Sequence, residues 1–144
     1  MAAERPTIAA YPHVTTITTR WEDNDVYGHV NNVTYYSYFD SVANAYLIDR
    51  GGLDIHASEV VGLVVESGCR FHAPVAYPQL LRVGLRVDRL GNRAVTYGMA
   101  IFTDDSDEAV ADGHVVHVFV DRERRTPVQI PSRIRDALAA IAVD

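Results

Sequence analysis

The spacing of apolar and polar positions changes several times along the chain, and each change marks an element. "HVTTITTRW" (13–21) is rich in β-branched residues and predicts a strand. The polar cluster at 22–29 predicts a loop. From Asn31 to about Arg50 apolar residues recur at three- and four-residue steps: Val33, Tyr36, Phe39, Ala43, Tyr46 and Leu47. That stripe predicts a helix of about five turns. Asn31 or Asn32 suits its N-cap, and Gly51–Gly52 its stop. "EVVGLVVESGCRF" (59–71) predicts a long strand with a bulge near Gly68. "LLRVGLRVDRL" (80–90) alternates Leu81, Val83, Leu85 and Val87 against Arg82 and Arg86, so one face is expected to be buried and one wet. "GN" at 91–92 is a hairpin signal, with further strands at 93–103 and 109–122. "PSRIRDALAAIAV" predicts a short closing helix with Ser132 as N-cap. Residues 1–12 read as a loose lead-in. One strand, one long helix and then a run of antiparallel strands is an α+β order.

Length and composition narrow the picture. At 144 residues the chain is expected to form one domain, 1–144, with a substantial core. The net charge of −6 speaks against a nucleic-acid partner. All 13 basic residues are arginine, so any anion contact must come from guanidinium, histidine or backbone N–H. Cys69 is the only cysteine, which excludes an internal disulfide. No run reaches the ~20 apolar residues that span a bilayer, and "MAAERPTIAAYPHV" lacks the apolar core of a signal peptide. A cytoplasmic location with no membrane partner is the expectation.

The chemistry concentrates in "RWEDNDVYGHVNN" (20–32), which gathers Glu22, Asp23, Asp25, Gly28 and His29 before the helix. A helix start presents unpaired N–H groups and the positive end of its dipole. A polarised carbonyl oxygen suits that position. Asp25 lies six residues before Asn31, within reach of the same spot. A carboxylate beside a carbonyl held by N–H groups is a working acyl-transfer arrangement, by direct attack or by activation of water. His29 could orient the water or share its proton. The same residues also have plainer roles: acids before a helix complement its dipole, and Asn and Gly form turns.

This stretch resembles the N-terminal signature of the hotdog-fold thioesterases of the 4-hydroxybenzoyl-CoA thioesterase type. That signature runs roughly D-x-D-x-x-G-H-V-N-N before an aromatic-rich helix. Here it stands as Asp23, Asp25, Gly28, His29, Val30, Asn31 and Asn32, followed by Tyr35, Tyr36, Tyr38 and Phe39. The similarity extends through the element order to about residue 122. It implies a hotdog fold, a five-stranded antiparallel sheet wrapped around one central helix, assembled as a homodimer or homotetramer. It assigns Asp25 to the catalytic carboxylate and the N–H groups around Val30, Asn31 and Asn32 to the carbonyl. The plant fatty-acyl thioesterases resemble it too, with a working histidine where His29 stands. Their working asparagine falls at Tyr27, so that version of the site is not intact. A second branch places its carboxylate on the helix, where Asp40 and Asp49 are the candidates.

Around this centre, Tyr27 is expected near the substrate. Glu66, in the apolar run "GLVVESG", either lines the acyl pocket or lies on the outer face. The resemblance gives Arg89 and Arg93, beside "LGN", to the coenzyme A phosphates, which guanidinium grips bidentately. Arg70 and Arg82 are weaker candidates for the same task, and Arg122, Arg124 and Arg125 read as surface. His114 and His117, three apart in a strand, are expected on opposite faces. Cys69 with His72 fails as a metal pair on the same ground, and no metal or cofactor is expected. Without a GxSxG elbow or an activating base beside Cys69, neither Ser nor Cys nucleophile is supported.

The expected function is hydrolysis of an acyl-CoA, or of an acyl-carrier-protein thioester, to the free acid and thiol. Asp25 would serve as nucleophile or general base. An alternative is a hotdog hydratase or dehydratase using His29, and another is a non-catalytic acyl-thioester binder. A lone sheet of this kind leaves an edge to cover, so two protomers are expected to complete each site.

Overall fold

The computed structural model describes residues 4–143. Five strands, β1 (His13–Thr18), β2 (Val60–Phe71), β3 (Leu80–Leu90), β4 (Ala94–Thr103) and β5 (Ala111–Asp121), form one sheet in the order β1-β3-β4-β5-β2. Every neighbouring pair is antiparallel. Helix α1 (Asn32–Asp49) joins β1 on one edge to β2 on the other, and α2 (Ser132–Ala139) closes the chain. This is the hotdog arrangement.

The core lies between α1 and one face of the sheet. Leu81, Val83, Leu85 and Val87 of β3 and Val95, Tyr97, Met99 and Ile101 of β4 meet Tyr35, Tyr38, Phe39, Val42, Tyr46 and Leu47 of α1. The alternation in β3 is therefore the one the sequence predicts. Its other side is less wet than expected, because the lead-in segment is docked on it. Ile8–Ala10 makes a 3-10 turn, and Tyr11 packs edge-on to Phe102 at 5.8 Å. Gly84 admits this ring; a Cβ there would stand 2.6 Å from Tyr11 Cγ. Arg86 lies over the same ring at 4.8 Å from its centroid. The lead-in expectation is thus corrected for residues 4–12, while residues 1–3 lie outside the described part.

Three other expectations shift. The α1 stripe begins in a different phase: Tyr35 and Tyr38 are buried, while Val33 is 73% exposed and Tyr36 faces β2. Nearly every position from 33 to 39 is apolar or aromatic, so the pattern alone does not fix which side turns inward. Strand β1 stops at Thr18, and Trp21–Asp23 forms a 3-10 turn instead. Asp23 accepts both the Arg20 N–H and its guanidinium, which draws the chain out of the ladder. In α2, Pro131 occupies the cap position and Ser132 is the first helical residue, with no side-chain cap.

The bulge in β2 falls between Val64 and Glu66, not near Gly68. Its extra residue reverses the parity of the strand. Before it, even-numbered Gly62 faces His117; after it, odd-numbered Phe71 meets Tyr35 edge-on at 5.0 Å. Strand β2 pairs on one side only, and its free edge carries exposed Val64 and Val65.

Candidate active site

The loop before α1 is held by its own backbone. Asp25 N–H donates to His29 O at 2.9 Å, and Asn31 N–H donates to Asp23 O at 2.9 Å. These two bonds close residues 25–29 into a tight loop. Gly28 sits at φ +84°, a conformation that side-chain-bearing residues rarely adopt. Its N–H returns to Asp25 O at 3.0 Å. Asp25 is therefore fixed at the stem, with Tyr27 and His29 exposed on the loop itself.

The three carboxylates have separate fates. Glu22 is exposed and pairs with Arg20 at 3.0 Å. Asp23 is 2% exposed and accepts from Tyr38 O–H at 2.7 Å and Arg20 N–H at 2.8 Å. Burial alone would raise its pKa, but the bonds from Tyr38 and Arg20, with the Arg20 charge, outweigh it and hold the carboxyl below its ordinary value. Burial and the same bond push the Tyr38 hydroxyl up. Asp23 is thus a clamp between loop and helix. Asp25 is half-buried; its Oδ1 accepts Tyr27 N–H at 2.9 Å, and its other oxygen has no donor among the described residues.

Of the amides that the resemblance assigns to a carbonyl, two are already used. Val30 N–H donates to Val75 O at 2.8 Å, and Asn31 N–H to Asp23 O. Val33 N–H is taken by the Asn31 cap at 3.0 Å. The Asn32 N–H remains without an acceptor among the described residues. It stands at the positive end of α1.

Asp25, Tyr27, His29, Asn32 and Tyr35 line one side of a cleft of about 470 Å³, and Phe71, His72 and Pro74 line the other. The far wall arrives because the chain after β2 folds back on the loop, through Val30 N–H to Val75 O and Tyr77 N–H to Asn24 Oδ1 at 3.0 Å. The cleft offers one carboxylate, one uncommitted amide, histidines and aromatic walls. That set can hold a carbonyl and deliver an oxygen to it.

His72, which the sequence brought up only as a metal pair with Cys69, also lines this cleft. It follows β2, its side chain is 9% exposed, and its Nε2 lies 2.5 Å from Asp112 Oδ1. Asp112 is held in turn by Arg70 at 2.7 Å. No spacing signal joins residues 72 and 112; the β2–β5 register does, through Arg70 opposite Asp112.

Several expected residues stand elsewhere. Glu66 faces away from the core and bonds His114 Nε2 at 2.8 Å, because the bulge turns it outward. Arg89 and Arg93 flank the β3–β4 turn, at the far end of β3 from Leu80, which pairs with Thr18 beside the loop. At ~3.3 Å per residue this separation is about 30 Å within one protomer. Asp40 and Asp49 are exposed on α1, against Asn44 and Arg50. Arg70 is committed to Asp112, and Arg82 to Thr103 O at 2.7 Å. Arg122 donates to Ser58 O at 2.6 Å, while Arg124 and Arg125 are exposed.

His114 and His117 do lie on opposite faces. His117 is buried, with Nδ1 3.1 Å from Tyr97 O–H, and burial lowers its pKa. The Cys69 thiol is half-buried and pushed up to about 12 by that burial, so it is a poor nucleophile. A larger depression, about 870 Å³, lies on the outer face around Tyr11, Arg70, Arg86 and Asp112. Its charges already neutralise one another, as Arg70 with Asp112 and Arg86 with Asp88 at 2.7 Å. The smaller cleft is the one that Asp25 and His29 line. No helix among the described residues is long and apolar enough to cross a membrane.

Comparison with known proteins bears on the family and the fold. The family described as the Thioesterase-like superfamily matches residues 19–138. The PA5185 protein of Pseudomonas aeruginosa strain PAO1 is 57% identical over 96% of each chain, with a TM-score of 0.95. The PA2801 protein of Pseudomonas aeruginosa, a proposed thioesterase, is 28% identical over 88% of this chain and 98% of its own, at a TM-score of 0.82. A 1,4-dihydroxy-2-naphthoyl-CoA thioesterase from Synechocystis shares the fold at a TM-score of 0.79 and 17% identity, covering 88% of this chain and 94% of its own. Comparison with curated protein sequences finds no match.

Proposed function

From the premise that the chain belongs to the Thioesterase-like superfamily, we propose that it is a thioester hydrolase acting on an acyl-CoA, with Asp25 as its catalytic carboxylate. One observation carries the assignment: Asp25 and Asn32, whose N–H has no acceptor among the described residues, line the same cleft. The thioester carbonyl oxygen accepts the Asn32 N–H at the positive end of α1. The free Asp25 oxygen attacks the carbonyl carbon, or takes a proton from the water that does. The C–S bond breaks, and the charge that develops on the carbonyl oxygen is met by a donor already in place. The closed loop fixes Asp25 beforehand, so little reorganisation is required. Tyr27, Tyr35 and Phe71 supply apolar walls for the acyl or pantetheine portion.

A second copy of the chain belongs to this proposal. The edge of β2 is long and unpaired, and exposed Val64 and Val65 stand on it, Val64 sharing a hollow with Val33. Pairing of two such edges would cover them and bring further residues towards each cleft. Arg89 and Arg93 would serve the coenzyme A phosphates only from a neighbouring protomer.

The test is a panel of acyl-CoAs with free-thiol detection, on wild type and Asp25→Asn. The expected loss in the variant is at least ~100-fold in kcat, the scale of a lost acid–base group. Unchanged turnover in the variant would remove Asp25 from the chemistry. Conversion of an enoyl thioester without thiol release would point instead to a hydratase centred on His29.

A further inference from the structure

We propose that His72, oriented by Asp112, is a second catalytic residue of the cleft and carries the proton between the departing sulfur and the attacking water. The inference rests on the hydrolase proposal above and assigns a group that proposal does not use. Three observations carry it. His72 lines the same cleft as Asp25, on the opposite wall. Its ring is oriented: Nε2 meets Asp112 Oδ1 at 2.5 Å, and Arg70 anchors Asp112 through the other oxygen at 2.7 Å. Its backbone is pinned as well, by His72 N–H to Val110 O at 2.8 Å. With Nε2 bound to the carboxylate, Nδ1 has no protein partner among the described residues. A carboxylate–imidazole pair of this kind fixes the tautomer and stabilises the imidazolium when it forms.

Written for attack by Asp25, the cycle balances. The Asp25 oxygen bonds to the acyl carbon and the C–S bond breaks, its electron pair leaving on sulfur. His72, protonated at Nδ1, gives that proton to the thiolate. Water then attacks the acyl carbon of the mixed anhydride, and its proton passes to the now neutral Nδ1. The bond from the acyl carbon to Asp25 breaks, which restores the carboxylate and the imidazolium and releases the acid. One water is consumed, and one acid and one thiol are formed. With Asp25 as the nucleophile, the leaving group and the water have no proton partner in Asp25 itself; His29, exposed on the loop, is the competing candidate for that role.

The experiment measures thiol release from the best acyl-CoA substrate by wild type, His72→Gln, His72→Ala, Asp112→Asn, His29→Gln and Asp25→Asn, with thermal unfolding of each. The expected result for His72→Gln is a fall in kcat of about 100-fold with KM changed by less than about 3-fold. Asp112→Asn falls between it and wild type, and added imidazole restores part of the activity of His72→Ala. A structural role alone would give neither the kcat–KM split nor the rescue. Retention of kcat in His72→Gln within about 3-fold of wild type overturns the assignment. So does a loss that follows the unfolding temperature without imidazole rescue, or a larger loss in His29→Gln that imidazole reverses. If Asp25→Asn is inactive while His72→Gln is not, only this inference fails. If wild type releases no thiol from any substrate, the hydrolase proposal fails and takes this one with it.

Discussion

Tyr38, on the second turn of α1, donates its hydroxyl to Asp23 at 2.7 Å, and both side chains are buried. This bond ties the loop before α1 to the helix itself. Asp23 thus belongs to the architecture, while Asp25, two residues on, is the carboxylate proposed above for the chemistry. Tyr38→Phe removes a donor from a buried carboxylate and is expected to cost about 1–3 kcal/mol. Chemical denaturation of the two proteins at neutral pH measures it.

Asp23 also sets an acid limit. Its folded pKa lies below the unfolded one, near 4. Its contribution to stability is therefore complete above that value and is lost as pH falls through the folded pKa. Asp23→Asn should be less stable than wild type at pH 7, and the gap should narrow as pH drops below about 4. Unfolding midpoints across that window check the sign.

His117 gives a second dependence, in a higher window. Burial beside Tyr97 lowers its folded pKa, while the unfolded histidine takes up a proton near pH 6.5. The unfolded state then binds more protons as pH falls below that value, so stability declines on acidification. Replacing the pair together, His117→Leu with Tyr97→Phe, leaves no orphaned hydroxyl. The double variant should show a flatter stability slope between about pH 6.5 and 5 than wild type.

Gly28 closes the loop at φ +84°, and beyond Gly28 and its two chain neighbours nothing lies within 4 Å of the point an added Cβ would occupy. Gly28→Ala therefore isolates the backbone cost, about 1 kcal/mol. A shift of Asp25 that follows should lower kcat more than it lowers the unfolding temperature. Steady-state kinetics beside thermal unfolding separates the two.

The free edge of β2 predicts assembly. Val64→Arg puts a charge where Val33, Tyr36 and Val64 border a shared apolar hollow. If two β2 edges pair, this variant sediments as a smaller species than wild type and loses thiol-releasing activity with it. An unchanged sedimentation coefficient would count against that interface.

Much of this protein was legible locally. Thr- and Val-rich strands, the Asn31 cap, the β3 alternation and the Asp–Gly–His–Asn loop each depend on neighbours within a few residues, where propensity and hydrogen bonding act directly. The α1 phase was not, because an aromatic run from 33 to 39 is compatible with more than one buried side. Glu66 was not, because a single bulged residue decides which way it points.

The sequence alone determined the element order and placed Asp25 just before a helix start, since periodicity and capping are properties of short segments. Tertiary structure decided the rest. It spent the Val30 and Asn31 amides on Val75 and Asp23 and spared Asn32. It carried Arg89 and Arg93 to the far end of the sheet and set His72 against Asp112 across a strand pair. Those outcomes follow from strand register and chain return, which join residues far apart in the chain and leave no mark on the spacing of either.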